Sequence, residues 1–90
     1  MEIKVLNRRV CGDDNATDFF VERPLKRSEI ENLAKELQGQ ISAFGALFYI
    51  DLLTGRVTTS TNSLRCTFRT KNDSTEIKQQ INLYLQSLEI

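Results

Sequence analysis

Two stretches of this chain repeat apolar residues at helical spacing, and each repeat marks one side of a helix only. A capping-box pair marks the start of each stretch: Ser28 with Glu31 in the first, and Asp73 with Glu76 in the second. The apolar positions are Ile30, Leu33, Ala34 and Leu37 in the first stretch, and Ile77, Ile81, Tyr84, Leu85 and Leu88 in the second. Gly39 supplies a C-terminal stop for the first helix. The pattern predicts helices over residues 28–38 and 74–88, each burying one face.

Outside the helices, most segments alternate apolar and polar residues, as half-buried β-strands do, while residues 44–53 are apolar at both parities, as in a central strand. The predicted strands cover residues 3–11, 18–23, 44–53, 57–61 and 64–70. A bulge is expected near Asn7, where polar residues interrupt the first strand, and Pro24 closes the second. Thr54 and Gly55 offer the positive φ that a tight reversal between two strands requires.

The element order is therefore ββαβββα, and helices with one apolar face each are packed most economically on one face of a sheet. The prediction is a single two-layer α+β domain over residues 1–90, with an antiparallel sheet of about five strands and both helices on one face. The predicted core is Ile3, Val5, Phe19, Val21, Ile30, Leu33, Leu37, Phe48, Ile50, Val57, Leu64, Cys66, Phe68, Ile77, Ile81, Leu85 and Leu88.

Residue chemistry argues against catalysis and against a metal or cofactor site. The chain has no histidine, so Cys66 has no neighbouring base to activate it, and Cys11 and Cys66 do not form a CxxC pair. Asp13, Asp14 and Asp18 are oxygen ligands of the kind that hold Ca²⁺, but they lack the spacing of an EF-hand loop. Turn chemistry explains such a cluster equally well. The sequence predicts no enzyme, no metal site and no cofactor.

A basic stretch gives the strongest indication of binding. Residues 52–72 contain Arg56, Arg65, Arg69 and Lys71 and no carboxylate, although the 12 basic and 12 acidic residues of the whole chain cancel. Strand alternation predicts that Arg65, Thr67 and Arg69 face away from the helices. The same alternation sends Phe20, Leu47, Tyr49 and Arg56 to that outer surface. The predicted interaction surface is Phe20, Leu47, Tyr49, Arg56, Arg65, Thr67, Arg69 and Lys71.

Two functions fit such a surface of arginines, hydroxyls and aromatic rings. The first is a non-catalytic protein-interaction module, such as a regulator, adaptor or inhibitor, that docks a protein partner or its own copy through the outer sheet face or a sheet edge. The second is modest-affinity binding of single-stranded DNA or RNA by the basic stretch at residues 52–72. A net charge of zero favours the first, because proteins that bind phosphate backbones usually carry a basic excess.

Neither a membrane span nor a targeting segment is expected. The longest apolar segment, residues 43–53, is interrupted by Asp51 and is shorter than the roughly 20 residues that a bilayer requires. The first residues lack the positive region, apolar block and cleavage site of a signal peptide. A cytoplasmic location without a membrane partner is therefore the expectation.

Overall fold

One antiparallel sheet and two helices make up the computed structural model, which describes residues 3–10, 14–71 and 75–88. The elements are β1 (Lys4–Arg9), β2 (Asn15–Phe20), α1 (Arg27–Leu37), β3 (Gln40–Phe44), β4 (Leu47–Leu52), β5 (Gly55–Ser60), β6 (Arg65–Thr70) and α2 (Thr75–Ser87). The strands are arranged in the order β1-β2-β6-β5-β4-β3, and each pair of neighbours is antiparallel. The two-layer α+β prediction is confirmed, but the described residues form six strands rather than about five.

The additional strand is β3, which lies at one edge of the sheet. A single strand over residues 44–53 was the wrong prediction, because a turn at Gly45 and Ala46 divides that segment. Gly45 has a φ of +63°, whereas Ala46 stays out of the positive region. A positive φ at only the first of two turn residues is the pattern of a type II′ hairpin, which favours glycine at that position.

The helices cover one face of the sheet, which we call the inner face. Core residues from α1 and α2 meet inner-face side chains of β2, β4, β5 and β6, and most of the predicted core is confirmed. Ile77 and Leu88 are only partly buried against this core. Two core predictions are wrong, because Val5 is 42% and Leu64 is 49% exposed. Val5 belongs to the edge strand β1, in which every residue is exposed, and Leu64 precedes β6 at the end of the sheet.

The edge position of β1 also explains its mixed sequence. Its pairing with β2 is continuous from Lys4 opposite Phe20 to Arg9 opposite Asn15, so the predicted bulge near Asn7 is absent from the described strand. Polar residues interrupt the apolar pattern because both faces of this edge strand are exposed, and a bulge is not needed to account for them.

The entry into α1 is two residues earlier than predicted. Lys26 is the N-cap residue, and its backbone N–H donates to the Glu29 carboxylate at 2.8 Å. Arg23 donates two hydrogen bonds of 2.7 Å to the same carboxylate. Leu25, just before the cap, and Ile30, in the first turn, both join the core, which is the arrangement of a hydrophobic staple. The predicted Ser28–Glu31 cap is therefore wrong, and the Asp73 cap predicted for α2 lies outside the described residues.

Gly39 and Gly55 are glycines because a side chain would not fit there, and not because they have a positive φ. Gln38, not Gly39, takes the left-handed conformation after α1, with a φ of 57°. A Cβ at Gly39 would lie 2.5 Å from the Ile50 side chain, so the chain turns close against β4. Gly55 has no positive φ, and a Cβ there would collide with the Arg69 carbonyl oxygen. The positive φ predicted for Gly55 is wrong, and close contact with β6 explains the glycine.

Acid is expected to weaken the junction between Arg23 and Glu29. The hydrogen bonds from Arg23 lower the pKa of Glu29 from 4.5 to about 2. This lowered pKa contributes stability that is complete above pH 4.5 and is lost as the pH falls toward about 2. Glu29→Gln is expected to lower the free energy of unfolding by about 1 kcal/mol at pH 7 and to have little effect near pH 2.

Urea unfolding of the wild type and of Glu29→Gln at both pH values measures this difference. Glu31→Gln is the matched control, because Glu31 makes only an exposed pair with Arg27 at 3.6 Å. If Glu29→Gln lowers the free energy of unfolding by the same amount at pH 7 and near pH 2, the ionisation of Glu29 does not stabilise the fold.

Candidate outer-face binding surface

The sheet surface opposite the helices, which we call the outer face, brings the predicted interaction residues together. Strand register arranges its central part in two rows that cross all the described strands. One row contains Leu6, Asp18, Thr67, Thr58, Tyr49 and Ser42, and the other contains Arg8, Ala16, Arg69, Arg56, Asp51 and Gln40. Phe20 lies opposite Arg65 on the same face, and Leu47 lies opposite Ser60. Lys71 follows β6 at its end.

Two arginines stand directly opposite each other in the centre of the sheet. Arg56 of β5 is the cross-strand partner of Arg69 of β6. Like charges in this position repel each other and destabilise a sheet. Each guanidinium has one carboxylate beside it: Arg56 Nε donates to Asp51 at 2.6 Å, and Arg69 Nε donates to Asp14 at 3.0 Å. These pairs reduce the repulsion, but both arginines remain exposed.

Tyr49 is fixed between a cation and an aromatic ring. The Arg56 guanidinium carbon lies 4.9 Å from the centre of the Tyr49 ring, within the range of a cation–π interaction. The ring of Phe44 meets Tyr49 edge-on, with 5.8 Å between centroids and an interplanar angle of 70°. Phe44 itself is 66% exposed. The outer face thus carries ordered aromatic surface beside its arginines.

Asp18 is a structural carboxylate of the outer face. It is only 1% exposed, and it accepts hydrogen bonds from Arg8 Nε at 2.7 Å and Thr67 Oγ1 at 2.6 Å. Burial acts to raise the pKa of Asp18, but the hydrogen bonds from Arg8 and Thr67 outweigh it and hold the pKa below its ordinary value. Asp18 therefore stays ionised and ties β1, β2 and β6 together, and Thr67 is partly occupied in this link.

The charge of the outer face is predominantly positive. Its charged strand residues are Lys4, Arg8, Arg56, Arg65 and Arg69, which are basic, and Asp18 and Asp51, which are acidic. At one end of the face, a cleft of about 410 Å³ is bordered by Arg56, Arg69 and Lys71 together with Asp14 and the β4–β5 turn. The basic side chains predicted at residues 52–72 therefore converge on one side of the sheet.

Cys66 lies in the core, and Asp14 and Asp18 are each paired with an arginine. Burial raises the pKa of Cys66 to about 12, so its thiol remains protonated. Asp14 and Asp18 pair with different arginines, while Cys11 and Asp13 lie outside the described residues. Within the described ranges, no cluster of histidine, cysteine and carboxylate side chains is grouped as a metal site would require.

Sequence reasoning missed the contribution of β1 and of the acidic partners. Arg8 and Asp18 meet only because β1 pairs with β2, and the sequence did not determine that register. Phe44 was predicted to begin the strand over residues 44–53, and instead it is the last residue of the edge strand β3, exposed beside Tyr49. Recognising Gly45 as a turn residue would have shifted Phe44 to this position.

No helix in the described part of the chain has the length and apolar character needed to cross a membrane. Comparison with known proteins gives no match to a family model, to a curated protein or to a solved structure.

Proposed function

We propose that this protein is a non-catalytic interaction module, such as a regulator, adaptor or inhibitor, that docks an acidic protein surface on its outer face. The opposed pair of Arg56 and Arg69 is the observation that carries this proposal. The pair costs stability in the free protein, and neither helix covers it. A carboxylate from a partner would accept hydrogen bonds from both guanidiniums and relieve their repulsion.

The aromatic surface beside these arginines suits a protein partner. Tyrosine and arginine are enriched where interfaces gain most of their binding energy. Tyr49 is held in place by Arg56 and Phe44 before any partner arrives, so little side-chain freedom is lost on binding. Leu47 on the same strand extends the apolar area next to Tyr49.

Charge argues against two alternative occupants of the outer face. A second copy placed face to face would bring two positive surfaces together, which opposes association. Proteins that bind a phosphate backbone usually carry a basic excess, whereas this chain has a net charge of zero.

Single-stranded nucleic acid remains the second candidate, because an aromatic ring and an arginine are adjacent at two places on this face. Phe20 lies opposite Arg65, and Tyr49 lies under Arg56. Bases can stack on such rings while the arginines contact phosphates.

Titration with two polyanions of equal length distinguishes these functions. A polyglutamate peptide represents the acidic protein surface, and oligothymidine represents the single strand, with binding followed by fluorescence anisotropy over a range of salt. We expect the peptide to bind more tightly than oligothymidine at every salt concentration. Tighter binding of oligothymidine, with a log–log salt slope of about −3 for four neutralised phosphates, would replace the proposal with the second function. If neither polyanion binds, the proposal that the outer face docks an acidic partner is contradicted.

A further inference from the structure

The two edges of the sheet differ in how well they are protected against pairing with another strand. Edge strands are usually blocked by charged residues or proline, because their free backbone groups can pair with another chain. At one edge, β1 carries Lys4, Arg8 and Arg9. At the other, β3 reads Gln-Ile-Ser-Ala-Phe, without a charge or a proline, and all of its residues are exposed. The β3 edge therefore lacks the usual protection.

The hydrogen bonds of the neighbouring strands identify which backbone groups of β3 are free. Just before β4, the Ala46 carbonyl accepts a hydrogen bond of 3.0 Å from the Thr61 N–H. Bonding alternates along an antiparallel strand, so the even-numbered residues of β4 direct their N–H and C=O groups to β5. The odd-numbered residues of β4 must then bond to their partners on β3, which are Gln40, Ser42 and Phe44. The N–H and C=O groups of Ile41 and Ala43 consequently point away from the sheet.

We infer that the β3 edge is a self-association site, at which β3 pairs antiparallel with β3 of a second copy about a two-fold axis through Ser42. In this register Ile41 of each copy stands opposite Ala43 of the other. These are the residues with free backbone groups, so each such pair exchanges both of its hydrogen bonds. Ser42 faces its own equivalent across the axis, and its small side chain permits close approach.

A second copy fits this edge because β3 has no charged side chain that would repel the β3 of the other copy. In the antiparallel arrangement Gln40 stands opposite Phe44 and Ile41 opposite Ala43, and none of these residues is charged. Beside the edge, α1 exposes both signs of charge, with Glu31 and Lys35 lining the cleft next to Ile41. The same operation at β1, centred between Leu6 and Asn7, would place Lys4 of each copy opposite Arg9 of the other. Self-pairing is thus compatible with β3 and not with β1.

Pairing through β3 would leave both outer faces on the same side of one continuous sheet. A two-fold axis perpendicular to the sheet keeps the helices of both copies on the opposite side. Two binding surfaces joined in this way would strengthen attachment to a partner with two acidic segments. The association itself does not depend on what the outer face binds, so either inference can fail without the other.

Sedimentation equilibrium over a wide concentration range tests the inference with the wild type and three variants. We expect the wild-type mass to move from 10.3 kDa toward twice that value. Ala43→Pro removes one of the free N–H groups without touching the bonds to β4, and Ile41→Lys adds a charge to the edge. Each is expected to weaken dimerisation at least tenfold. Val5→Pro is the matched control at the β1 edge and should leave dimerisation unchanged.

Amide hydrogen exchange provides a second readout that does not depend on any variant. The amides of Ile41 and Ala43 are expected to become protected as the concentration of wild-type protein rises. Circular dichroism of each variant verifies that the fold is retained. A wild type that stays monomeric at all concentrations would overturn the inference. So would an Ala43→Pro dimer of wild-type strength, or a loss of dimer in Val5→Pro.

Discussion

Replacing Phe68 with alanine is expected to lower the free energy of unfolding by about 4 kcal/mol. Phe68 has no exposed surface, and it lies in the middle of the inner face, between Thr17 and Val57 on the neighbouring strands. Both neighbours are also buried and are held by the sheet, so they cannot move far to fill the cavity. A loss of this size is a large fraction of the total stability of a small domain.

Urea unfolding followed by circular dichroism measures the loss. Phe44→Ala is the matched control, since it removes the same side chain from a position that is 66% exposed. This control is expected to cost about 1 kcal/mol or less, mainly the edge-on contact with Tyr49. Equal losses in the two variants would contradict the assignment of inner and outer faces to the sheet.

Replacing Arg69 with glutamate is expected to weaken binding of the polyglutamate peptide at least tenfold while leaving the fold intact. The substitution reverses a charge in the centre of the outer face and removes a donor to the incoming carboxylate. Stability should change little, because the new glutamate stands opposite Arg56 and converts a repulsive cross-strand pair into an attractive one. That gain offsets the loss of the pair between Arg69 and Asp14 and the repulsion between the new glutamate and Asp14.

Arg27→Glu is the matched control for this variant, because it makes the same change of charge on α1, on the other side of the sheet. Its side chain is 71% exposed, and its pair with Glu31 is long. We expect Arg27→Glu to lower the affinity for the peptide less than twofold. Equal losses of affinity in the two variants would mean that only the net charge of the protein matters and that the outer face is not the docking surface.

The fold class followed from the sequence because helical and strand periodicity each depend on local spacing. The apolar stripe of α1, with Ile30 and Leu33 fully buried, and the alternation of Cys66 and Phe68 in β6 were both correct. The errors had two causes, an overlooked local turn and an unforeseen tertiary contact. The turn at Gly45 is hidden in an apolar run. Gly55 is a glycine because β6 approaches it, which no local pattern reveals.

Alternation assigned residues of β4, β5 and β6 and Phe20 of β2 to the outer face, but it did not include the residues of β1. Alternation correctly grouped Arg65 with Arg69, because both lie on one strand. The opposition of Arg56 and Arg69, however, depends on the register between two strands, which alternation does not determine. The same is true of the link from Arg8 to Asp18 across β1 and β2. Side-chain faces can thus be derived from sequence, whereas the partners across strands require the structure.

The measurement that most directly tests the docking surface is an NMR titration of the ¹⁵N-labelled protein with the polyglutamate peptide. Amide shifts report where the peptide binds without any substitution. We predict the largest shifts at Thr58, Thr67 and Arg69, in the centre of the outer face, with small shifts along α1. Shifts concentrated on the helices, with the sheet unchanged, would contradict the proposed function.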